Sequence, residues 1–282
     1  MLDRRLLIVT GKGGVGKSAL TAAAAIRAAK QGRRVLAIEM TDPIGLAAHL
    51  RVAVLGPEPV EVRPGLSALA VDPAAALDEY LRMRIRVPRM AAITRAFRVL
   101  AETVPGIRDT VVMGKILYEA MPPRWDLVVA DAPPTGQILS YLRAPATIEG
   151  LVPSGRVRDQ AGWMRRTLGD PVSCGIILTA TPEELPVTET RETLAALRRE
   201  NLVSVAGVVV NRVLPPLSIP ASRVAAEPPG PRRDAATIHL ELQASQARQL
   251  EDLEPSLQFP LLFGVRTQGE VASRLSELWE SG

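Results

Sequence analysis

Short runs of apolar residues alternate with segments of helical periodicity along most of the chain. The apolar runs predict strands, with an irregular pair between 61 and 71 and continuous runs at 6–10, 35–40, 127–130, 175–180, 205–210 and 257–263. The periodic segments predict helices at 17–31, 73–86, 89–103, 107–121, 136–142, 155–168, 184–199, 235–253 and 268–280. Continuous apolar strands separated by helices indicate a parallel sheet covered on both faces. We therefore predict an α/β fold with a doubly wound, mainly parallel sheet and helices on both faces.

This pattern occupies the whole chain, and it predicts one domain over 1–282. The length of 282 residues suits a single large α/β domain, and no internal repeat indicates a tandem fusion. Two segments depart from the alternation. Residues 73–121 predict a helical insertion, and residues 214–235, with two Pro-Pro pairs and no period, predict a mobile loop.

Composition excludes several classes of protein. Aromatic residues make up only 3% of a chain that is 47% hydrophobic, so the core must consist of Ala, Val, Leu and Ile. The single cysteine, Cys174, excludes an intramolecular disulfide and a Cys-rich metal or iron–sulfur site within one chain, and its apolar surroundings predict a buried small hydrophobe. The net charge of +4 comes from scattered basic residues, so we expect no nucleic-acid partner. No apolar run approaches the roughly 20 residues of a membrane span, so we expect a cytoplasmic protein.

The first strand leads into a glycine-rich segment and then into a helix. Residues 11–18 follow the pattern Gly-x-x-x-x-Gly-Lys-Ser in the strand–loop–helix context of a phosphate-binding loop, or P-loop. Its glycines let successive backbone N–H groups surround phosphate oxygens, and the helix N-terminus adds positive charge. Lys17 should contact the β- and γ-phosphates of ATP, and the Ser18 hydroxyl should bind Mg²⁺. The other members of the predicted nucleotide site are Gly11, Gly13, Gly14, Val15 and Gly16. The alternative is a turn that merely joins strand to helix.

Two further segments follow strands whose carboxyl ends should meet the same site. Asp42 follows the second strand, where it can hold an attacking water in line with the γ-phosphorus; alternatively it caps the next helix. Asp131 ends an apolar strand and should hold Mg²⁺ through a water. The loop after it passes from two prolines to Thr135 and Gly136, and a loop that is stiff at one end and free at the other suits a sensor of the γ-phosphate.

Together these segments resemble a known family. Five motifs occur in order, and they are Lys-Gly-Gly-Val-Gly-Lys-Ser (12–18), Thr-Asp-Pro (41–43), Val-Pro-Gly-Ile (104–107), Asp-Ala-Pro-Pro-Thr-Gly (131–136) and Val-Val-Val-Asn-Arg (208–212). This series is similar to the arsenite-pump ATPases, deviant Walker-A proteins that include the guided-entry ATPase for tail-anchored membrane proteins. The likeness spans 5–212 and continues weakly to 265.

The resemblance implies an ATP-dependent dimer. It implies that Lys12 extends across the dimer interface to the partner subunit's nucleotide and that Asn211 contacts adenine. Taken alone, Lys12 could contact a phosphate of its own chain, and Asn211 could simply end a strand and turn the chain.

The chain also departs from the family pattern. Ile44 and Gly45 replace the usual continuation after Asp-Pro, and Gln137 stands where a His is common. The zinc-binding Cys pair of some targeting ATPases and the arsenite-binding cysteines are missing. These features are more similar to the short bacterial anion-transporting ATPases, some of which are thought to pair different subunits. We therefore expect either a homodimer or a heterodimer with a paralogous ATPase.

Three functions follow as hypotheses. The first is an ATP-driven factor that targets or chaperones membrane-protein segments, with peripheral membrane association, and its client would contact helices in 73–103 or 150–168. The second is the energising ATPase of an anion efflux system, with a membrane subunit as partner. The third is a partition or division-site positioning ATPase, although the end of the chain at 273–280 is short and acidic where that class often has a basic amphipathic helix.

Overall fold

An eight-stranded sheet forms the centre of the protein, as seen in a computed structural model that describes residues 1–41, 44–80, 106–121, 123–251 and 253–279. Its strands lie in the order β3-β4-β2-β5-β1-β6-β7-β8, and all neighbours are parallel except β3, which is antiparallel to β4. The strands are β1 (Leu6–Gly11), β2 (Val35–Glu39), β3 (Val60–Arg63), β4 (Leu66–Ala70), β5 (Leu127–Asp131), β6 (Cys174–Ala180), β7 (Val205–Val213) and β8 (Leu257–Pro260). The predicted α/β fold with a mainly parallel sheet is confirmed.

Ten helices accompany these strands within the described part of the chain. They are α1 (Lys17–Lys30), α2 (Gly45–Leu50), α3 (Pro73–Tyr80), α4 (Ile107–Ala120), α5 (Thr135–Leu151), α6 (Arg156–Gly169), α7 (Glu184–Glu200), α8 (Ala221–Ala226), α9 (Pro231–Leu250) and α10 (Gln268–Leu278). Small residues determine the position of the N-terminal helix α1, because its buried alanines let the helix approach the sheet closely.

Both faces of the sheet are covered, which explains why its strands are continuous apolar runs. Leu6 and Ile8 of β1 point into a cluster that includes α4, α5 and α7, whereas Leu7 and Val9 point into a second cluster with α1, α2 and α10. Since successive strand residues face opposite sides, a strand between two helical layers must be apolar at every position. The two layers leave the carboxyl ends of β1, β2 and β5 as the common edge where a ligand can be held.

The proline-rich segment 214–235 differs from the prediction of an irregular loop. It contains α8 and the first residues of α9. Pro220 holds the N-cap position of α8, and Pro231 opens α9. Proline is well suited to a helix start, where its missing N–H costs no hydrogen bond, so these prolines begin helices and do not break them. That the segment is mobile stays a prediction.

Other differences concern the helices. α5 continues through Pro145 to Leu151, nine residues beyond the predicted end. In the predicted insertion 73–121, α3 and α4 are helical as expected, while residues 81–105, including part of the Val-Pro-Gly-Ile motif, lie outside the described residues. A search of the described helices finds none that is both long and apolar enough for a membrane crossing.

Candidate nucleotide-binding site

Residues 11–18 form a tight loop between β1 and α1, and its shape depends on glycine. Gly14 and Gly16 have φ angles of 88° and 98°, in the left-handed region that favours glycine. A side chain at Gly11 would overlap the carbonyl of Thr179 on the neighbouring strand β6. The loop therefore has both the special backbone and the close packing that a P-loop requires.

The outer side of this loop is open and suited to an anion. Gly13 and Gly14 are exposed, and a Cβ placed on either would meet nothing within 4 Å. Helix α1 begins directly behind them, and its N-cap residue Gly16 supplies no side-chain hydrogen bond to the first turn. Such N–H groups and the partial positive charge of the helix end favour a phosphate group.

Lys17 and Ser18 start α1 on the inner side of the loop. The Lys17 ammonium donates a hydrogen bond to the Lys12 carbonyl oxygen at 3.3 Å. Burial lowers the pKa of Lys17, while the carboxylates of Asp131 and Glu39 oppose that change. The two carboxylates therefore favour the charged form of the Lys17 ammonium, the form that would contact a phosphate.

Two carboxyl groups lie side by side at the end of the sheet. Asp131 of β5 is in register with Glu39 of β2, and the two residues are only 3% and 2% exposed. Burial raises the pKa of Asp131 to about 6, against hydrogen bonds with Ser18 and Glu39 and the charge of Lys17. The predicted metal residues Ser18 and Asp131 thus lie in one neighbourhood, together with Glu39.

Glu39 was not among the predicted site residues. Its Oε1 accepts a hydrogen bond from the Thr41 backbone N–H, and its Oε2 accepts one from the Leu46 N–H, both at 3.2 Å. Between those contacts lies Asp42, the proposed water-positioning residue, which is outside the described residues. The N-cap position of α2 belongs to Ile44, and both interpretations of Asp42, as water-positioning residue or as helix cap, stay predictions.

Glu189 of α7 links two predicted site residues on the other side of the loop. The Lys12 ammonium forms an ion pair with Glu189 Oε1, and the Thr135 hydroxyl donates to Glu189 Oε2 at 2.9 Å. The hydrogen bond from Lys12 contributes most to lowering the pKa of Glu189. Thr135 is buried at the start of α5, whereas Gly136 beside it is exposed. Glu189 was also missed by the sequence analysis.

Asn211 near the end of β7 supports the P-loop from behind. Its Nδ2 donates to the Val15 carbonyl oxygen at 2.9 Å, and the residue is buried. A Cβ on Gly16 would overlap the same amide nitrogen. The side chain therefore fixes the loop's conformation, and the adenine contact that the resemblance implies stays a prediction.

The donors at this edge fit a magnesium ion bound together with a nucleotide. Ser18, Asp131 and Glu39 offer only oxygen atoms, which Mg²⁺ prefers, and Mg²⁺ typically uses one or two carboxylates with waters and phosphates. Within the described ranges there is no group of three His, Cys, Asp or Glu residues that could hold a metal by itself. A magnesium ion held by these residues would therefore need phosphate oxygens to complete its coordination.

Several proteins with similar sequences are named ATPases. The family model described as anion-transporting ATPase matches residues 4–154. The chain is 35% identical over 225 residues to the ATPase BagA of Mycobacterium tuberculosis, covering 75% of this chain and 66% of that protein. It is 29% identical over 235 residues to an arsenical pump-driving ATPase of Escherichia coli and to one of Acidiphilium multivorum, covering 74% of this chain and 39% of each pump-driving protein.

The matched region contains the phosphate-binding loop, both buried carboxyl groups and the start of α5. The alignments leave about a third of the mycobacterial relative and more than half of each pump-driving protein without a counterpart in this chain. The family model nevertheless covers more than half of the present sequence, including the glycine loop and strands β1, β2 and β5, whereas β6, α7 and β7 lie beyond it. The chain belongs to the anion-transporting ATPase family.

Proposed function

We propose that this chain is a magnesium-dependent ATPase that binds ATP at residues 11–18 and switches between states as a dimer. The observation that carries the proposal is the open glycine loop on an uncapped helix end, with Lys17 and two buried carboxyl groups directly behind it. Positive and negative groups are arranged there as a phosphate with a divalent cation would need them.

Each residue then has a defined part in hydrolysis. Backbone N–H groups of the loop hold the phosphates, and Lys17 binds the β- and γ-phosphate oxygens. Ser18 would hold Mg²⁺ directly and Asp131 through a water, and the ion neutralises phosphate charge when bound. Asp42 orients the attacking water, and Thr135 and Gly136 respond to the γ-phosphate. Catalysis by such a site is mainly positioning and charge stabilisation.

The dimer is proposed from Lys12. Within one chain Lys12 is paired with Glu189, and the two side chains are 33% and 35% exposed. A partly exposed ion pair contributes little stability, on the order of 1 kcal/mol or less, so a phosphate can displace the carboxylate at modest cost. Transfer of the ammonium to the nucleotide of a partner would join two chains only when ATP is present. The partner is either a second copy or a paralogous ATPase.

For the biological role we favour targeting or chaperoning of membrane-protein segments. Two apolar side chains at the junction of α5 and α6 support it, because Leu151 is 71% exposed and Val157 is 38% exposed. Both lie in the predicted client segment 150–168, whereas Met164 of that segment is buried in the core and Trp163 packs against it. The rest of the predicted client surface, beyond α3, lies outside the described residues.

The second candidate is the energising ATPase of an anion efflux system, favoured by the pump-driving relatives. Arsenite itself is a poor match as the anion, because a site of three thiolates needs three cysteines and this chain has one.

Phosphate release and light scattering test the ATPase and the dimer together. With ATP and Mg²⁺ the chain should release phosphate and double its mass, alone or with its paralogue. Lys17→Ala should abolish phosphate release, whereas Lys30→Ala, an exposed lysine at the end of the same helix, should not change it. Phosphate release that is equal in both variants would contradict the proposal.

Co-purification followed by mass spectrometry separates the two biological roles. A targeting factor should be recovered with membrane proteins that carry apolar spans, and an efflux ATPase with one membrane subunit. Recovery of DNA or septal proteins instead would favour a positioning ATPase and contradict both.

A further inference from the structure

Glu39 stands at the point where the metal site and the proposed catalytic loop meet. It is the last residue of β2, and the strand's parallel register places it beside Asp131 on β5. Both are buried at the carboxyl edge of the sheet. An acidic side chain at such a depth is costly unless a cation or hydrogen bonds compensate it. The groups that surround Glu39 therefore indicate its role.

The neighbours of Glu39 include the groups that face the phosphate site. A Cβ placed on Gly45 would lie 3.2 Å from Ser18 Oγ and 3.5 Å from Glu39 Oε2, so the serine hydroxyl and the glutamate carboxylate approach the same point. Asp131 accepts a hydrogen bond from the Thr21 hydroxyl at 3.4 Å, and Ser18 and Glu39 are both near enough to oppose the rise of its pKa. Three oxygen-bearing side chains from α1, β2 and β5 thus converge on one small volume.

Glu39 also holds the loop that follows its strand. Its two oxygens accept the backbone N–H groups of Thr41 and Leu46, so one side chain bonds both ends of the segment that contains Asp42. Gly45 packs closely here, because an added Cβ would be tight against Ser18 Oγ at 3.2 Å and in van der Waals contact with Glu39 Oε2 at 3.5 Å. The loop's position is therefore coupled to the same carboxylate that borders the metal residues.

We propose that Glu39 is the second carboxylate of the magnesium site, and that it positions the 41–46 segment relative to the bound metal. The inference rests on the proposed function, since it needs a nucleotide–metal complex at this edge. Mg²⁺ keeps several of its waters in nucleotide sites, and a carboxylate beside Asp131 offers a second acceptor for them. The Lys17 ammonium interacts electrostatically with both carboxyl groups, so the two lie in the same charged site.

The competing explanation is that Glu39 only closes the loop by hydrogen bonding. Glu39→Gln keeps the size of the side chain but removes its negative charge and one of the two oxygens that accept loop N–H groups, so metal affinity and metal-free nucleotide affinity are measured separately to distinguish the two roles. Glu119→Gln is a matched control, since Glu119 is likewise a buried glutamate but bonds Lys115 and Trp125 on α4's side of the sheet.

The experiment measures metal and nucleotide affinity separately. Binding of a fluorescent ADP analogue is titrated in EDTA, and binding of Mn²⁺ to the protein–ADP complex is then followed by electron paramagnetic resonance. For Glu39→Gln we expect metal-free nucleotide affinity within about twofold of the wild type and Mn²⁺ affinity weaker by about tenfold, the effect of losing an outer-sphere partner of a metal. Glu119→Gln should change neither affinity.

Each outcome has a defined meaning. Mn²⁺ affinity in Glu39→Gln equal to that of the wild type would overturn the inference and leave the proposed function intact. An equal loss of metal-free and metal-dependent binding would assign Glu39 a structural role only, and would also overturn it. If the wild type bound no nucleotide, the proposed function would fail first.

Should Glu39→Gln not fold, Glu39→Asp takes its place, because it keeps the charge but withdraws it by one methylene group. Weaker Mn²⁺ binding with unchanged metal-free nucleotide binding would then support the inference. Unchanged Mn²⁺ binding would overturn it.

Discussion

The ammonium group of Lys12 and the carboxylate of Glu189 form an ion pair within a single chain, although 177 residues separate them in sequence. The same carboxylate accepts the Thr135 hydroxyl. Glu189 therefore holds two groups that are proposed to act on the γ-phosphate or on a partner's nucleotide. Binding of ATP has to compete with this contact before Lys12 can leave its own chain.

Removing that competition should favour the dimer. Glu189→Gln is expected to lower the ATP concentration that gives half-maximal dimerisation by about twofold to fivefold. This change corresponds to the free energy of a partly exposed ion pair. Light scattering over a series of ATP concentrations measures this half-maximal concentration. Glu192→Gln, an exposed glutamate on the same helix, is the control and should behave as the wild type. An increase in the ATP required by Glu189→Gln would show that Glu189 stabilises the dimer instead.

Lys12 itself should matter for association more than for nucleotide binding. Lys12→Ala should retain binding of ADP to the single chain while weakening ATP-driven association by at least about tenfold, as expected when one partner of an interfacial charge pair is lost. Sedimentation velocity with and without ATP measures the association. Normal association of Lys12→Ala would remove the proposed contact across the interface.

A methyl group at Gly16 should weaken nucleotide binding by the P-loop. Gly16→Ala and Gly32→Ala both place alanine at a positive φ, which costs about 1 kcal/mol, but only Gly16 faces the Asn211 amide. Displacing that buried hydrogen bond costs about a further 1 to 3 kcal/mol. We expect a melting temperature several degrees lower for Gly16→Ala than for Gly32→Ala, and nucleotide affinity lowered by about tenfold or more in Gly16→Ala alone. Equal affinities would mean that Asn211 does not support the loop.

Cys174 should be unreactive in the folded protein. Burial raises its pKa to about 12, and the nearby charge of Asp170 acts in the same direction. At pH 8 the thiolate fraction is then about one in ten thousand, and the thiolate is the reactive form. A thiol reagent such as DTNB should label one group per chain in guanidinium and essentially none in buffer. Rapid labelling of the native protein would place the thiol at the surface.

The sheet and the phosphate loop could be predicted because their signals are local. Buried parallel strands are continuous apolar runs, and the glycine loop combines a required backbone with a required lysine over eight residues. Cys174 is buried at the start of β6, as its apolar neighbours predicted. Asp131 was found since an acidic residue ends an apolar strand, and that same signal at Glu39 was available but was not used.

Glu189 carried no such signal. It lies within an ordinary amphipathic helix, and its partners are 54 and 177 residues away. Only the packing of α7 beside β1 and α5 brings the three side chains together. Helix α8 and the first turn of α9 were missed for a different reason, because proline can end one helix or begin another. Which of the two occurs depends on the packing of the following residues.

Isothermal titration calorimetry with ATP and Mg²⁺ tests the central claim most directly. The account predicts a saturable signal of one nucleotide per chain, which disappears in Lys17→Ala and persists in Lys30→Ala. A flat titration of the folded wild-type protein at millimolar ATP and Mg²⁺ would contradict the account, since residues 11–18 would then hold no triphosphate.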